Sequence, residues 1–390
     1  MMLWSIGGLL TLVVGILAVS RAPRCARVFR WLPIPLWCYV LPLLAVNIGW
    51  LPANHPAYPA LIAHVLPIAL ALLLLGVDLP SLRTVGVAAL LAAMVGAVGV
   101  VAGSVALAWL FNGMLPPDAW KGAGMLAGTW TGGTLNLLAL RELLGTPESM
   151  FAPLILVDAI VAYGWMALLI AASAFQQPLD RWLCASSPPR VTAPGAPATS
   201  LPVTSGTHRW SGLLAAAALT CGLALSARWL GGRLPLTPVI NSANGWAILI
   251  VTTLTLGLSF IPRLRQWGQQ ATGLGYPLLY FVLAATGAQG NLEALRSGLP
   301  WIGLGIGTVL VHGALLLAVG RLAHLPLGLL ATASQANIGG VVSAPMVGAV
   351  YRQHLAPIGL LLAVAGNAVG TYVGLLAAGL SRMVSGGGSP

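Results

Sequence analysis

Apolar runs long enough to cross a membrane recur from one end of this 390-residue sequence to the other. A transmembrane α-helix needs about 20 mainly apolar residues, so the runs predict a series of membrane-spanning helices. Only 6% of the residues are charged, whereas a soluble domain carries about 25%. The runs lack the alternation that transmembrane strands require, and lipid favours helices because their backbone groups bond internally. An all-α, polytopic membrane fold is therefore predicted.

The formal net charge of +11 comes mainly from arginines between the apolar runs. In such loops, arginine fixes topology and contacts anionic headgroups. Nucleic acid is not an expected partner, because no basic patch is interleaved with aromatic residues. The four cysteines show neither metal-ligand spacing nor a disulfide framework. The first run, Leu3 to Val19, has its arginines after it, which predicts an uncleaved helix rather than a signal peptide.

Twelve apolar segments are predicted, six on each side of a Pro-rich stretch. They cover about 3–20, 34–51, 60–77, 85–111, 120–143, 150–175, 210–230, 243–261, 274–290, 298–320, 325–350 and 355–381. Segment 34–51 is short and begins beside two prolines, so it is the first suspect for a segment that does not span. The sequence thus predicts 11 or 12 transmembrane helices and leaves open the parity of the count.

Four regions follow from this pattern: a first transmembrane repeat over 1–175, a hydrophilic linker over 176–208, a second repeat over 209–384 and a disordered tail over 385–390. The linker contains six prolines among Ser, Thr and Ala, a composition that cannot bury a core. The side of the membrane on which the linker lies stays open.

The two halves resemble each other at three places in the same order, which indicates a duplication. Arginine-bearing loops are best explained if the halves have opposite orientations, so the repeats are expected to be inverted. The matched segments are Leu72–Leu82 with Ala285–Leu295, Gly128–Asn136 with Gln335–Ser343, and Phe151-Ala-Pro-Leu with Leu355-Ala-Pro-Ile.

The second matched pair carries a Gly-Gly step among Thr, Ser and Asn inside an apolar stretch. Gly disfavours helix interiors, and Thr and Asn compete for backbone hydrogen bonds. One discontinuous helix is therefore predicted in each repeat, with half-helix ends that bind a solute or an ion. The alternative is that the glycines allow close helix packing and the hydroxyls bond the preceding turn. The predicted binding residues are Thr129, Thr131, Gly132, Gly133, Thr134 and Asn136 at the first break, and Ser334, Gln335, Asn337, Gly339, Gly340 and Ser343 at the second.

Of the seven acids, six sit at the ends of apolar runs or in loops, and only Asp158 lies well inside a predicted span, about eight residues into it. Acids within membrane spans are costly and usually functional, so Asp158 is predicted to bind a sodium ion or a proton. The alternative is a structural acid near the interface. In the matching helix of the second repeat, Asn367 supplies a neutral polar group near the same level. His312 lies in an apolar run and is expected to be structural.

Three motifs carry a family resemblance over nearly the whole chain: Gly128–Asn136, Asn337-Ile-Gly-Gly340 and Gly366–Tyr372. They resemble the YjcL-like bacterial membrane proteins, a family named as domain of unknown function 819. That family is more remotely similar to bile-acid/sodium symporters and sodium/proton antiporters, which have two crossed discontinuous helices. In the antiporters an acid on the helix after the first crossing binds the ion, and Asp158 matches that place. The chain has no second acid or buried lysine there.

These observations predict a secondary active transporter, multi-pass in the bacterial inner membrane, that moves a small solute or ion by alternating access. The sequence contains no metalloprotease, P-loop or serine-hydrolase signature, so an enzyme is not expected. No cofactor is expected beyond a coupling ion, sodium or proton. The predicted partners are the lipid bilayer and the substrate, with homodimerisation left open. A channel or passive facilitator and a non-transporting receptor are the alternatives, and substrate, coupling ion, and symport versus antiport stay open.

Overall fold

The computed structural model describes residues 2–25, 28–29, 32–53, 55–185, 206–240, 242–290, 292 and 298–385. Helix makes up 83% of the structure, and no strand occurs among the described residues. The predicted all-α fold is therefore confirmed.

Fifteen α-helices are present in the described ranges. The first half contains α1 (Met2–Ser20), α2 (Ile34–Asn47), α3 (Ala57–Leu75), α4 (Val87–Leu110), α5 (Ala119–Gly132), α6 (Thr134–Leu144), α7 (Glu148–Ala172) and α8 (Gln176–Trp182). The second half contains α9 (Gly206–Gly231), α10 (Ala243–Ser259), α11 (Pro262–Gly287), α12 (Gly298–Leu322), α13 (Leu327–Ile338), α14 (Gly340–Tyr351) and α15 (Leu355–Val384).

Each of the twelve predicted segments coincides with one of these helices or, at 120–143 and 325–350, with a pair of them. The largest difference is at α11, which begins at Pro262 rather than near residue 274. Its first turns contain arginine and glutamine, so they do not read as part of an apolar run. Within the predicted linker, α8 and the first turn of α9 are helical, whereas 186–205 lie outside the described residues, as do 386–390 of the predicted tail.

Six helical stretches of the described chain are long and apolar enough to cross a membrane. They are Ala57–Leu75, Val87–Leu110, Glu148–Trp182, Trp210–Gly231, Gly298–Leu322 and Leu355–Val384. A seventh span is added if α10 and α11, which meet at a 117° bend, form a single one. With 14 residues, α2 is about 21 Å long, shorter than a hydrocarbon core of about 30 Å. The chain is thus multi-pass, and the count of 11 or 12 spans stays a prediction.

The helices form two compact units, and each unit combines segments of both predicted repeats. The first unit contains Met1–Gly76, Arg141–Ala159 and Arg209–Trp301. The second contains Val77–Leu140, Ile160–His208 and Ile302–Pro390.

In the first unit, α11 packs along both α2 and α3, while α1 packs on α2 and α11. Two glycines allow a close approach of α3 to α11: a Cβ added to Gly268 would collide with the backbone nitrogen of Gly76, and one added to Gly76 would lie 3.0 Å from the backbone of Gly268. Small residues at such crossings let membrane helices gain dispersion contacts that larger side chains would prevent. Close packing of α3 on α11 therefore depends on these two glycines.

The first unit also contains a buried polar cluster around Arg141, at the end of α6. Its guanidinium forms an ion pair with Glu148 (2.8 Å) and donates a hydrogen bond to the hydroxyl of Thr286 (3.1 Å). The phenol of Tyr39 donates to the other oxygen of Glu148 at 2.5 Å. Phe151 lies below the guanidinium, 5.0 Å from ring centroid to Cζ. The cluster joins the α6–α7 connection to α2 and α11.

Removing both partners of this pair should destabilise the protein less than the two single removals added together. We expect Arg141→Met to cost about 3–5 kcal/mol, because it leaves a buried carboxylate without its cation. The double variant Arg141→Met/Glu148→Met should cost less than the sum of the single variants. Thermal unfolding in detergent measures this, with the exposed Arg233→Met as the control. Additive losses would contradict a buried, coupled pair.

Candidate functional site

The first predicted break is an interruption of the helix at a single residue of the second unit. Helix α5 ends at Gly132 and α6 begins at Thr134, and between them Gly133 has a φ of +79°. Glycine adopts this left-handed region without steric cost. The Gly133 N–H still donates to the carbonyl of Thr129, and the Gly133 carbonyl accepts from the N–H of Asn136 (2.9 Å). The backbone therefore changes direction without losing these hydrogen bonds.

One buried amide, that of Asn136, attaches this break to α15. Its Nδ2 donates to the carbonyls of Gly132 (2.8 Å) and Asn367 (3.3 Å). Its Oδ1 accepts a hydrogen bond from the hydroxyl of Thr371 at 2.6 Å. The side chain is only 1% exposed. Asn136 and Asn367, both predicted binding residues, are thus in direct contact.

Glycines spaced four residues apart bring α5 and α15 together along this line. The three on α5 are Gly124, Gly128 and Gly132, and the three on α15 are Gly366, Gly370 and Gly374. A Cβ added to Gly124 would lie 2.7 Å from the carbonyl oxygen of Gly374, too close for any larger residue. In addition, the Thr131 hydroxyl donates to the carbonyl of Ala127 at 2.8 Å. The sequence allowed two interpretations, close helix packing and an interruption of the backbone. The structure shows both at this position.

The second break shares with the first a positive φ at the second glycine of its Gly-Gly pair. Helix α13 ends at Ile338, α14 begins at Gly340, and Gly340 has a φ of +74°. Gly340 follows Gly133 by 340 − 133 = 207 residues, the same offset that separates Gln335 from Gly128. The second glycine of each Gly-Gly pair is thus left-handed, which agrees with a duplication. Inversion of the repeats stays a prediction.

A side-chain hydrogen bond closes the second break. Gln335 lies before the break and Ser343 after it, and the Gln335 amide donates to the Ser343 hydroxyl at 2.9 Å. The two side chains fill the space beside Gly339, where a Cβ would collide with both. The amide of Asn337 donates to the carbonyl of Ala93 on α4 at 3.0 Å.

Ser334 takes part in a chain of hydrogen bonds. The donor and acceptor roles in this chain follow from the groups that it joins. His312 Nδ1 lies 2.8 Å from the Gly96 carbonyl, which can only accept, so this nitrogen carries a proton. In the neutral ring, Nε2 then accepts from the Ser334 hydroxyl (2.8 Å), which itself accepts from Trp165 Nε1 (2.8 Å). His312 is fully buried, as expected for a structural histidine.

The two breaks belong to neighbouring helices of the second unit. Helix α5 contacts both α13 and α14, and α15 packs against all three. Their arrangement as crossing discontinuous membrane spans stays a prediction. The one bent helix pair of the described chain that is long and apolar enough to form a span is α10 with α11.

Thirteen of the fourteen predicted binding residues lie in the second unit, and the exception is Asp158. Asp158 is on α7 within the first unit and is half-buried, and its role beside the first break stays a prediction. Thr134 is half-buried directly after Gly133, whereas Thr129 is 1% exposed. In the described chain, no group of three or more His, Cys, Asp or Glu side chains is placed to hold a metal ion.

Sequence reasoning missed two side chains that contact the predicted residues, Thr371 and Trp165, and it gave His312 a structural role without its contact to Ser334. Thr371 lies within the Gly366–Tyr372 motif, so that motif contained a usable signal. Trp165 is typical of packing residues in an apolar helix and carries no comparable signal.

A chain with six apolar helices of spanning length is a multi-pass α-helical membrane protein. It belongs to the family described as "Protein of unknown function (DUF819)", whose profile matches residues 8–384. It is also similar to the "Uncharacterized membrane protein YjcL" of Bacillus subtilis (strain 168), with 25% identity over 343 residues and 85% of each chain covered. The family resemblance seen in the sequence is confirmed, and the remoter similarity to symporters and antiporters stays a prediction.

Asn136→Ala should lower the stability of the second unit. The substitution leaves the Thr371 hydroxyl without its acceptor and the Gly132 carbonyl without its side-chain donor, which costs about 1–3 kcal/mol. Thermal unfolding in detergent would measure the loss. Asn112→Ala, at an exposed position after α4, is the matched control and should leave the melting temperature unchanged. Equal melting temperatures for the two variants would show that the amide does not hold the break.

Proposed function

We propose that this protein is a secondary active transporter that moves a small solute across the bacterial inner membrane, coupled to sodium or protons. The observation that carries the proposal is the pair of helix breaks, one at each Gly-Gly step of the two matched segments, within one compact unit. Helix ends leave N–H and C=O groups that bind polar ligands. Interrupted helices at equivalent places in two repeats are typical of transporter binding sites.

Buried polar atoms at the breaks support a binding role. The hydroxyl of Thr129, one turn before Gly133, and the Oε1 atom of Gln335 are buried without a hydrogen-bond partner in the described part of the chain. The indole N–H of Trp130 is in the same situation. A buried polar atom without a partner costs free energy, and such atoms are tolerated where they serve a function. We assign them to solute contact.

Alternating access would expose the two breaks first to one side of the membrane and then to the other. Asp158 would couple this change to ion binding, because acids within apolar spans are costly and usually take part in ion or proton pathways. Transport coupled in this way accumulates solute against its gradient. A channel would show flux without accumulation, and a receptor would bind solute without flux.

Asp158→Asn should abolish the ion-driven current. We would measure solid-supported-membrane currents from proteoliposomes after sodium jumps and pH jumps, each with and without a mixture of amino acids and small carboxylates. The control is Asp118→Asn, an exposed acid before α5 whose left-handed backbone suits asparagine equally well. Full ion-driven current in the Asp158 variant would remove the coupling role, and absence of any wild-type current would favour a receptor.

Thr129→Val should lower transport without lowering stability. The substitution removes a buried hydroxyl that has no partner in the described chain, so the melting temperature should stay the same or rise. Solute-dependent current should fall if the hydroxyl contacts the solute. Thr255→Val is the control, because its hydroxyl is also buried and unpartnered there but lies on α10, in the first unit. Equal currents in the two variants would place the solute elsewhere.

A further inference from the structure

An apolar crevice lies in the first unit between α1, the segment that follows it, and α2. It has a volume of about 410 Å³ and is lined chiefly by carbon atoms, among them side chains of Leu12, Ile16, Phe29, Trp37 and Leu41. Ligand sites in proteins typically measure about 300–1,000 Å³. The crevice therefore has the size and the chemistry of a site for an apolar chain.

Exposed arginines lie on the stretch of chain that borders this crevice. Val19 and Cys25 both line it, and the exposed Arg21 and Arg24 lie on the stretch of chain between them. In the sequence, Arg27 and Arg30 follow, and no Asp or Glu occurs before Asp78. Arginines next to a membrane-embedded helix attract anionic headgroups. The crevice thus combines an apolar interior with bordering cationic side chains.

Two aromatic side chains also line the crevice. The rings of Phe29 and Trp37 lie 6.3 Å apart, and the indole N–H of Trp37 donates to the carbonyl of Leu32 at 3.2 Å. Tryptophan is enriched where the headgroups meet the hydrocarbon core. The crevice would accordingly extend from headgroup level toward the apolar part of α1.

We propose that the crevice binds one acyl chain of an anionic phospholipid, whose phosphate is held by Arg21 and Arg24. An acyl chain gains little by leaving lipid for a protein crevice, since both environments are apolar. Selectivity must therefore come from the headgroup, at about fivefold per arginine. A second copy of the chain fits less well, because it would bring further arginines to the same membrane level. The proposal does not depend on transport.

A plugged crevice provides the first test. Gly15 lines the crevice, and a Cβ added there meets nothing within 4 Å, so Gly15→Leu should fill the space without a clash. Gly7→Leu is the matched control: it is on the same helix with the same free space but does not line the crevice. Native mass spectrometry in phosphatidylglycerol or in phosphatidylcholine with identical acyl chains counts the bound lipids. Phosphatidylglycerol binding should be lost in Gly15→Leu and retained in Gly7→Leu.

Removal of charge gives the second test. Arg21→Gln and Arg24→Gln should each weaken the preference for phosphatidylglycerol over phosphatidylcholine about fivefold. Arg83→Gln, an exposed arginine of the second unit, should leave the preference unchanged. Equal binding of the two lipids by the wild type, or equal loss in all three variants, would overturn the proposal.

A labelling experiment covers the case in which the plugged variant fails to fold. Cys25 lines the crevice, Cys38 is buried, and Cys184 and Cys221 are exposed. In a Cys184→Ser/Cys221→Ser background, maleimide labelling therefore reports on Cys25. Phosphatidylglycerol should slow this labelling relative to phosphatidylcholine. Unchanged labelling, or protection that follows dimer formation rather than lipid, would also overturn the proposal.

Discussion

Every backbone N–H and C=O that leaves a helix inside a membrane protein needs another partner, and this requirement governs the second unit. At the first break, the Gly133 N–H keeps a bond to the preceding turn, while the side chain of Asn136 donates to the carbonyl of Gly132. At the second break, the Gly339 N–H bonds to the carbonyl of Gln335, and the Gln335 side chain bonds to Ser343. A polar side chain beside each Gly-Gly pair is thus part of what makes the interruption stable.

The glycines of α5 and α15 make the hydrogen bonds of Asn136 at the first break sterically possible. Asn136 reaches the carbonyl of Asn367 and the hydroxyl of Thr371 only because the two helix backbones approach so closely. A Cβ at Gly370 would lie 2.6 Å from the Asn136 amide nitrogen and 2.7 Å from the carbonyl of Gly128. Larger residues on this line would separate α15 from the break and leave a buried amide unsatisfied. Close packing of the two helices and hydrogen bonding of the buried amide therefore depend on the same glycines.

The sequence predicted what depends on local pattern and missed what depends on distant partners. Apolar runs located the helices, and the Gly-Gly pairs located both interruptions, because each signal is contained within a few turns. Thr371 is 235 residues from Asn136, and Trp165 is 169 residues from Ser334, so no local pattern joins them. The start of α11 was missed for a different reason, since an amphipathic beginning does not resemble an apolar run. The four-residue spacing of glycines on α5 and α15 was the one readable sign of a long-range contact.

Each break also takes polar contacts from the other half of the chain. The first break lies in the first half, and Asn367 and Thr371, which contact Asn136, are on the last helix of the second half. The second break lies in the second half, and the carbonyl of Ala93 and the indole of Trp165, which contact Asn337 and Ser334, belong to the first half. Each interruption is therefore satisfied partly by its own half and partly by the other. This reciprocal dependence gives a physical reason why the second unit is assembled from both halves of the chain: each half supplies the polar groups that the other needs.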